Sequence, residues 1–152
     1  MPETKCGFED SPGVLGRDLL VSQGPTLIVD IGFDPTFTPT NIGNVPASGI
    51  KGVQALVDTG AVESCIDGGL AMQLNLPIVD RRIISGSAGR HEVNVHLAQI
   101  HVPSLMFTIY GTFSAVDLVA GGQPHYALIG RTFLQTCKMS YDGTTGQVII
   151  SR

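Results

Sequence analysis

A chain of 152 residues is long enough for one domain with a core of its own. Hydrophobic residues make up 43% and charged residues 14%, which excludes a disordered chain and leaves apolar surface that a partner could cover. A net charge of −4 argues against nucleic acid or an anionic membrane as the main ligand, and no apolar run nears the roughly 18 residues that span a bilayer.

Nineteen glycines and nine prolines cut the chain into short pieces rich in Val, Ile, Thr and aromatics, the pattern of an all-β fold. Residues 1–24 have no clear period and read as an extended N-terminal arm, leaving 25–152 as the single domain. The start, Met1 to Asp10, lacks the basic end and apolar centre of a secretory signal. Pro25 to Gly32 is the first strand, and a Pro/Thr/Asn-rich loop runs from Asp34 to Pro46. Lys51 to Val57 is the second strand and ends at Asp58-Thr59-Gly60-Ala61. Ser64-Cys65-Ile66 is a short strand, and Asp67 is placed to N-cap a helix running to Leu74, with Pro77 closing the segment.

Ile83-Ile84, Ser85-Gly86-Ser87-Ala88-Gly89 and His91 to Ile100 read together as a hairpin with a glycine-containing tip. Two or three strands are expected over Leu105 to Leu118, and one over Tyr126 to Ile129. Gly130 to Gln135 reads as a second short helix. Lys138 to Tyr141 and Gln147 to Ser151 are strands joined by the turn Asp142 to Gly146.

Three cysteines (Cys6, Cys65, Cys137) are an odd number at irregular spacing, which suits neither a disulfide framework nor a zinc site. Cys65 and Cys137 sit among apolar residues and read as small core fillers. A reducing, cytoplasmic location follows as the expectation. His91 and His96 fall an odd number of residues apart in a Val-rich strand, so they project to opposite faces and are not a metal pair. Surface positions are the default for the histidines, and no metal or cofactor is called for.

The chemistry centres on Ala55-Leu56-Val57-Asp58-Thr59-Gly60-Ala61, where an apolar strand delivers a carboxylate to a tight turn. Asp, Thr and Gly also form ordinary turns after strands. Further along, Ala127-Leu128-Ile129-Gly130-Arg131-Thr132-Phe133-Leu134 repeats the order of two apolar residues, Gly and a short helix. The two motifs in this order, with a glycine-tipped hairpin between them, resemble the retropepsin-like aspartic proteases over roughly residues 25 to 151. The ending from Tyr141-Asp142-Gly143 to Ile150 is similar to bacterial members of that group.

The resemblance implies a closed β-barrel, one half of an acid protease, with one or two short helices, working as a two-fold homodimer on an extended polypeptide. It assigns catalysis to Asp58, Thr59 and Gly60, and substrate contact to Ala61, Val62, Ile84, Ser85, Gly86, Ser87, Ala88 and Gly89. Ile129, Gly130 and Arg131 would be structural support, and Val148-Ile149-Ile150 a C-terminal contribution to the dimer interface. Thr59 would brace the two catalytic loops across the dimer.

One carboxylate must be ionised to take a proton from water while the other, protonated, polarises the scissile carbonyl. The chain has one Asp-Thr-Gly, and Asp30-Ile31-Gly32 lacks the hydroxyl, so the second aspartate must come from a second copy. Ala61 stands where related two-lobed enzymes often carry a Ser that favours the charged carboxylate, which implies a mildly acidic optimum. Val62 stands where retroviral members often carry an acid that pairs with the Arg of Gly-Arg, leaving Arg131 with Glu63, Asp67 or solvent. The competing readings are a catalytically silent peptide-binding module and a dimerisation domain.

Overall fold

The alternation of β2 (Thr26–Gly32) sets the inside of the molecule: Leu27, Val29 and Ile31 are buried, while Ile28 between them is exposed. The computed structural model describes residues 2–39, 43–86 and 89–152. Beside β2 runs β3 (Ile50–Val57), antiparallel, with Leu27 opposite Ala55. Next come β4 (Cys65–Asp67), α2 (Gly68–Gln73), β5 (Ile78–Gly86) and β6 (Gly89–Val102). A 3-10 turn at Pro103–Leu105 leads into β7 (Phe107–Val116), and β8 (Ala127–Ile129) follows a loop.

Seven of these strands hydrogen-bond in the order β2-β3-β8-β4-β7-β6-β5, and β2 also pairs with β6. The second pairing closes β2, β3, β8, β4, β7 and β6 into a ring, the barrel that the resemblance implied, although β3 meets β8 only over Ala55–Val57 and β7 meets β4 only over Ser114–Val116. Strand β6 makes the closure possible. Up to His96 one of its edges carries β5, and from Gln99 the same edge carries β2. Strand β5 and the first half of β6 therefore leave the barrel as a two-stranded hairpin, and that half of β6 is largely exposed. Val29, Ile31, Ile66, Ile100, Val102, Leu105 and Ile129 fill the interior.

A second, three-stranded sheet has the order β1 (Glu3–Lys5), β10 (Gln147–Ser151) and β9 (Lys138–Asp142). Central β10 sends Val148 and Ile150 into the shared core. Its two edges are taken by β1 and β9 of the same chain, so Val148-Ile149-Ile150 cannot add a strand to a partner as the resemblance implied.

The extended arm expected over 1–24 is also revised in conformation. It contains β1 and α1 (Gly16–Gln23), and both Cys6 and Leu20 lie in the core. The helix was illegible because Leu20 and the helix-starting Gly16 are its only buried residues, too few to show a period. Asp10 anchors it by accepting a hydrogen bond from Gly16 N (2.7 Å). The two or three strands expected over Leu105 to Leu118 are one ten-residue strand, β7, which carries Gly111 at φ 126° without breaking. No described helix is long and apolar enough to cross a membrane.

Candidate active site

Asp58 sits where β3 runs out beside β8. The parallel register Val57↔Ile129 carries one step further, since Asp58 N donates to Ile129 O (2.9 Å). The chain then turns, with Ala61 N donating to Asp58 O (3.2 Å), and Gly60 N reaches back to Asp58 Oδ1 (2.9 Å). A Cβ on Gly60 would stand 3.1 Å from that oxygen, so glycine keeps the carboxylate's side of the turn clear.

The turn is clamped from the side by the second motif. Arg131 N donates to Ala61 O (2.9 Å), Thr132 N to Val62 O (3.0 Å), and Gly130 N to Ser64 Oγ (3.0 Å). The Arg131 guanidinium donates to Thr59 O (2.6 Å). Gly130 has no alternative here: a Cβ would lie 2.6 Å from Glu63 C and 2.7 Å from Glu63 O, both fixed backbone atoms. It also precedes α3 (Arg131–Leu134), whose Phe133 is buried against the core. Asp58-Thr59-Gly60 and Ile129-Gly130-Arg131 are thus brought together as one unit.

Glu63 and Asp67 are not partners of Arg131. Glu63 pairs with Arg82 of β5 (3.0 Å), and the same guanidinium reaches Ser114 Oγ on β7 (3.4 Å). Asp67 is buried and caps α2 by accepting from Leu70 N (3.0 Å), while its other oxygen accepts from Leu118 N (3.1 Å) and Val119 N (3.0 Å). Asp58 by contrast is half-buried, takes part in no ion pair among the described residues, and stands beside exposed Thr59 and Gly60. Ala61 is half-buried and Val62 exposed.

The Cys65 thiol lies near this carboxylate. Burial pushes it up to about 11; the Leu128 backbone hydrogen bond opposes that shift and the Asp58 charge adds to it. It is therefore a protonated core filler, as expected from its apolar neighbours. Cys6 is likewise pushed up to about 11 by burial, and all three cysteines are free.

The hairpin pairs Ile84↔His91, Ser85↔Arg90 and Gly86↔Gly89, so two residues, Ser87 and Ala88, connect its strands and lie outside the described residues. Ser85 and Gly89 are exposed, Ile84 is half-buried, and Gly89 has φ 95°. Arg82 fastens the base of this hairpin to the chain just beyond Asp58, a link that no spacing in the sequence announces. A concavity of about 700 Å3 bounded by Phe37, Met106, Tyr110 and Arg152 contains none of the expected site residues.

The surface assignment of the histidines fails for three of them. His96, His101 and His125 are buried, bonded respectively to Leu76 O (2.9 Å), Thr108 Oγ1 (2.9 Å) and Thr26 Oγ1 (3.1 Å). Burial holds His125 below its ordinary value. Among the described residues, no three of His, Cys, Asp and Glu are grouped to hold a metal ion.

Neither a protein-family model nor the sequence of a curated protein matches the chain. Among solved structures it is similar to EIAV protease, solved in complex with the inhibitor HBY-793, at 21% identity and a TM-score of 0.46, over 74% of this chain and 86% of that one.

Proposed function

We propose that this chain is an aspartic endopeptidase whose active site is completed by the Asp58 of a second copy. The observation that carries the reading is the Asp58 turn itself. A carboxylate is presented half-open, in no ion pair among the described residues, on a loop whose backbone is tied at Asp58, Thr59, Ala61 and Val62. A turn that merely changed chain direction needs no such bracing, whereas general acid/base work needs a carboxylate fixed in place and reachable by water.

In this reading one Asp58 takes a proton from the attacking water while its partner, protonated, donates to the carbonyl oxygen of the scissile bond. Two carboxylates about 3 Å apart share a single proton, which sets the working pair. Gly60 N orients one carboxylate oxygen and leaves the other for water. Ala61 offers no hydroxyl to favour the charged form, so cleavage peaks in mildly acidic conditions. The hairpin β5–β6, with Ser85, Gly86, Ser87, Ala88 and Gly89 at its end, closes over an extended substrate, and Val62 and Ile84 line apolar subsites.

The test is incubation of wild type and Asp58→Asn with a diverse peptide library between about pH 4 and pH 7, read by mass spectrometry. Cleavage by wild type alone, falling with dilution, is the expected result. A folded, dimeric wild type that cleaves nothing would leave a peptide-binding module, and equal cleavage by both proteins would remove Asp58 from the chemistry.

A further inference from the structure

The loop from Asp34 to Pro46 takes no part in the Asp58 site, yet its shape is fixed by hydrogen bonds. Alternation along β6 sends Ile100 and Val102 into the core and leaves Gln99 and His101 on the outer face of the barrel, opposite Tyr110 and Thr108 of β7. From that face Gln99 grips the loop at both backbone groups of Asp34, accepting from its N–H (2.6 Å) and donating to its C=O (3.1 Å). The Asp34 carboxylate accepts from Thr36 N (2.9 Å) and from Ala47 N (2.9 Å), which draws the two ends of the loop together. Asn44 Nδ2 donates to Thr38 O (2.8 Å) further out.

The concavity of about 700 Å3 lies between this loop and the start of β7. Phe37 of the loop meets Tyr110 of the barrel, with ring centroids 6.1 Å apart. Val45, Met106 and Tyr110 all border the concavity and are all exposed. Met106 is 75% exposed and is held at φ 50°, ψ 44°, a left-handed conformation that glycine or asparagine adopts at less cost. A flexible apolar side chain is thus kept on the rim, where neither packing nor backbone preference puts it.

Arg152 supplies the charge. Its guanidinium lies over the Phe107 ring (3.9 Å), and that ring is fixed against Phe133 (5.3 Å). Among the described residues Arg152 takes part in no ion pair, its Nε has no hydrogen-bond partner, and no acidic side chain lines the concavity. In a chain of net charge −4 this unpaired cation is a local exception. Other polar groups of the lining are already engaged, Asn44 with Thr38 and Thr108 Oγ1 with His101 Nδ1 (2.9 Å). One free positive group in an otherwise apolar lining matches a ligand with one anionic end and an apolar body.

We propose that this concavity binds a fatty acid, with the carboxylate on Arg152 and the chain against Met106, Tyr110, Phe37 and Val45. The volume falls within the roughly 300–1,000 Å3 of small-molecule sites. A guanidinium offers a carboxylate paired N–H groups in matching geometry, and Met106 adapts to a flexible chain. The inference is independent of the protease reading, because no residue of the Asp58 turn borders the concavity.

The test is calorimetric titration of the full chain with dodecanoate below its micelle concentration, with uncharged dodecan-1-ol as the control. Wild type should bind one dodecanoate per chain and favour it over dodecan-1-ol at least about tenfold, the yield of a charge-assisted contact. Arg152→Gln should lose that preference while keeping the circular dichroism spectrum. Met106→Gly should weaken dodecanoate several-fold with a urea midpoint no lower than that of wild type, since glycine suits the φ 50° position and little packing is lost. No heat with dodecanoate, equal binding of the alcohol, uptake of many chains per molecule, or an Arg152→Gln protein that still prefers the acid would each overturn the inference. So would a peptide with a free C-terminus that binds at Arg152 where dodecanoate does not. The presence or absence of peptide cleavage bears on none of these outcomes.

Discussion

Two aspartates nine positions apart, Asp58 and Asp67, sit at the ends of β3 and β4, the strands that flank β8, and have opposite fates. Asp67 is buried, and both its oxygens are consumed by backbone N–H groups of Leu70, Leu118 and Val119. Asp58 has one oxygen held by Gly60 N and is otherwise open. The bracing around it acts on the backbone, through Ile129, Arg131 and Thr132, and leaves the carboxylate free. A carboxylate whose acceptor capacity is exhausted holds the fold together. One that is positioned by its backbone and left unsatisfied is available for chemistry.

That contrast breaks first at Asp58. Asp58→Asn should lower peptide cleavage on the order of 10²- to 10⁴-fold, the usual contribution of a general acid or base, with a urea midpoint indistinguishable from wild type. A large loss of stability would make Asp58 a second structural aspartate and erase the distinction.

Asp67→Ala should do the reverse. It removes a helix cap and the acceptor that ties the 118–119 loop to the head of α2, at a cost of about 1–3 kcal/mol in urea unfolding. Cleavage per folded molecule should stay near that of wild type.

Gly130→Ala tests the clamp between the two motifs. Its Cβ has only fixed backbone of Val62 and Glu63 to meet, so the loop must shift, costing about 1–3 kcal/mol. Activity should fall by more than the loss of folded protein explains, because the displaced residues lie immediately after the Asp58 turn. An unchanged activity in the folded fraction would show that the clamp supports stability alone.

The smallest effect concerns pH. His125 is held below its ordinary 6.5 by burial, so the folded chain keeps it neutral where the unfolded chain takes up a proton. Its contribution is intact above that value and is lost as pH falls below it, toward the lower folded value. The stability of wild type should therefore decline as pH falls below about 6.5, and His125→Gln should flatten that decline. Asp58→Asn should leave the slope in place, separating the acid limit of the fold from the acid dependence of cleavage.

Much of the local structure around the candidate site was legible because it is short-range. Apolar β3 running into Asp58-Thr59-Gly60, Asp67 at the head of α2, and Gly130 before α3 are all short-range patterns, and each element is found where the pattern put it. The partners of the arginines were not legible. Arg131 bonds a backbone carbonyl and Arg82 reaches Glu63 across the hairpin, and neither contact leaves a trace in spacing. The burial of His96 and His101 was hidden for the same reason, since a polar residue in a strand reads as surface until the neighbouring strands are in place.

What the sequence by itself determined is most of the succession of strands from β2 onward, with β1 missed and β7 wrongly divided, because alternation, turn chemistry and helix caps act over a few positions. Only the tertiary structure decided which edges close on one another. It placed β10 between β1 and β9 and joined β6 to both β5 and β2, leaving β9 as an open margin. Pairing between distant strands depends on which apolar faces share one core, and that is a property of the assembled layers that no single segment carries.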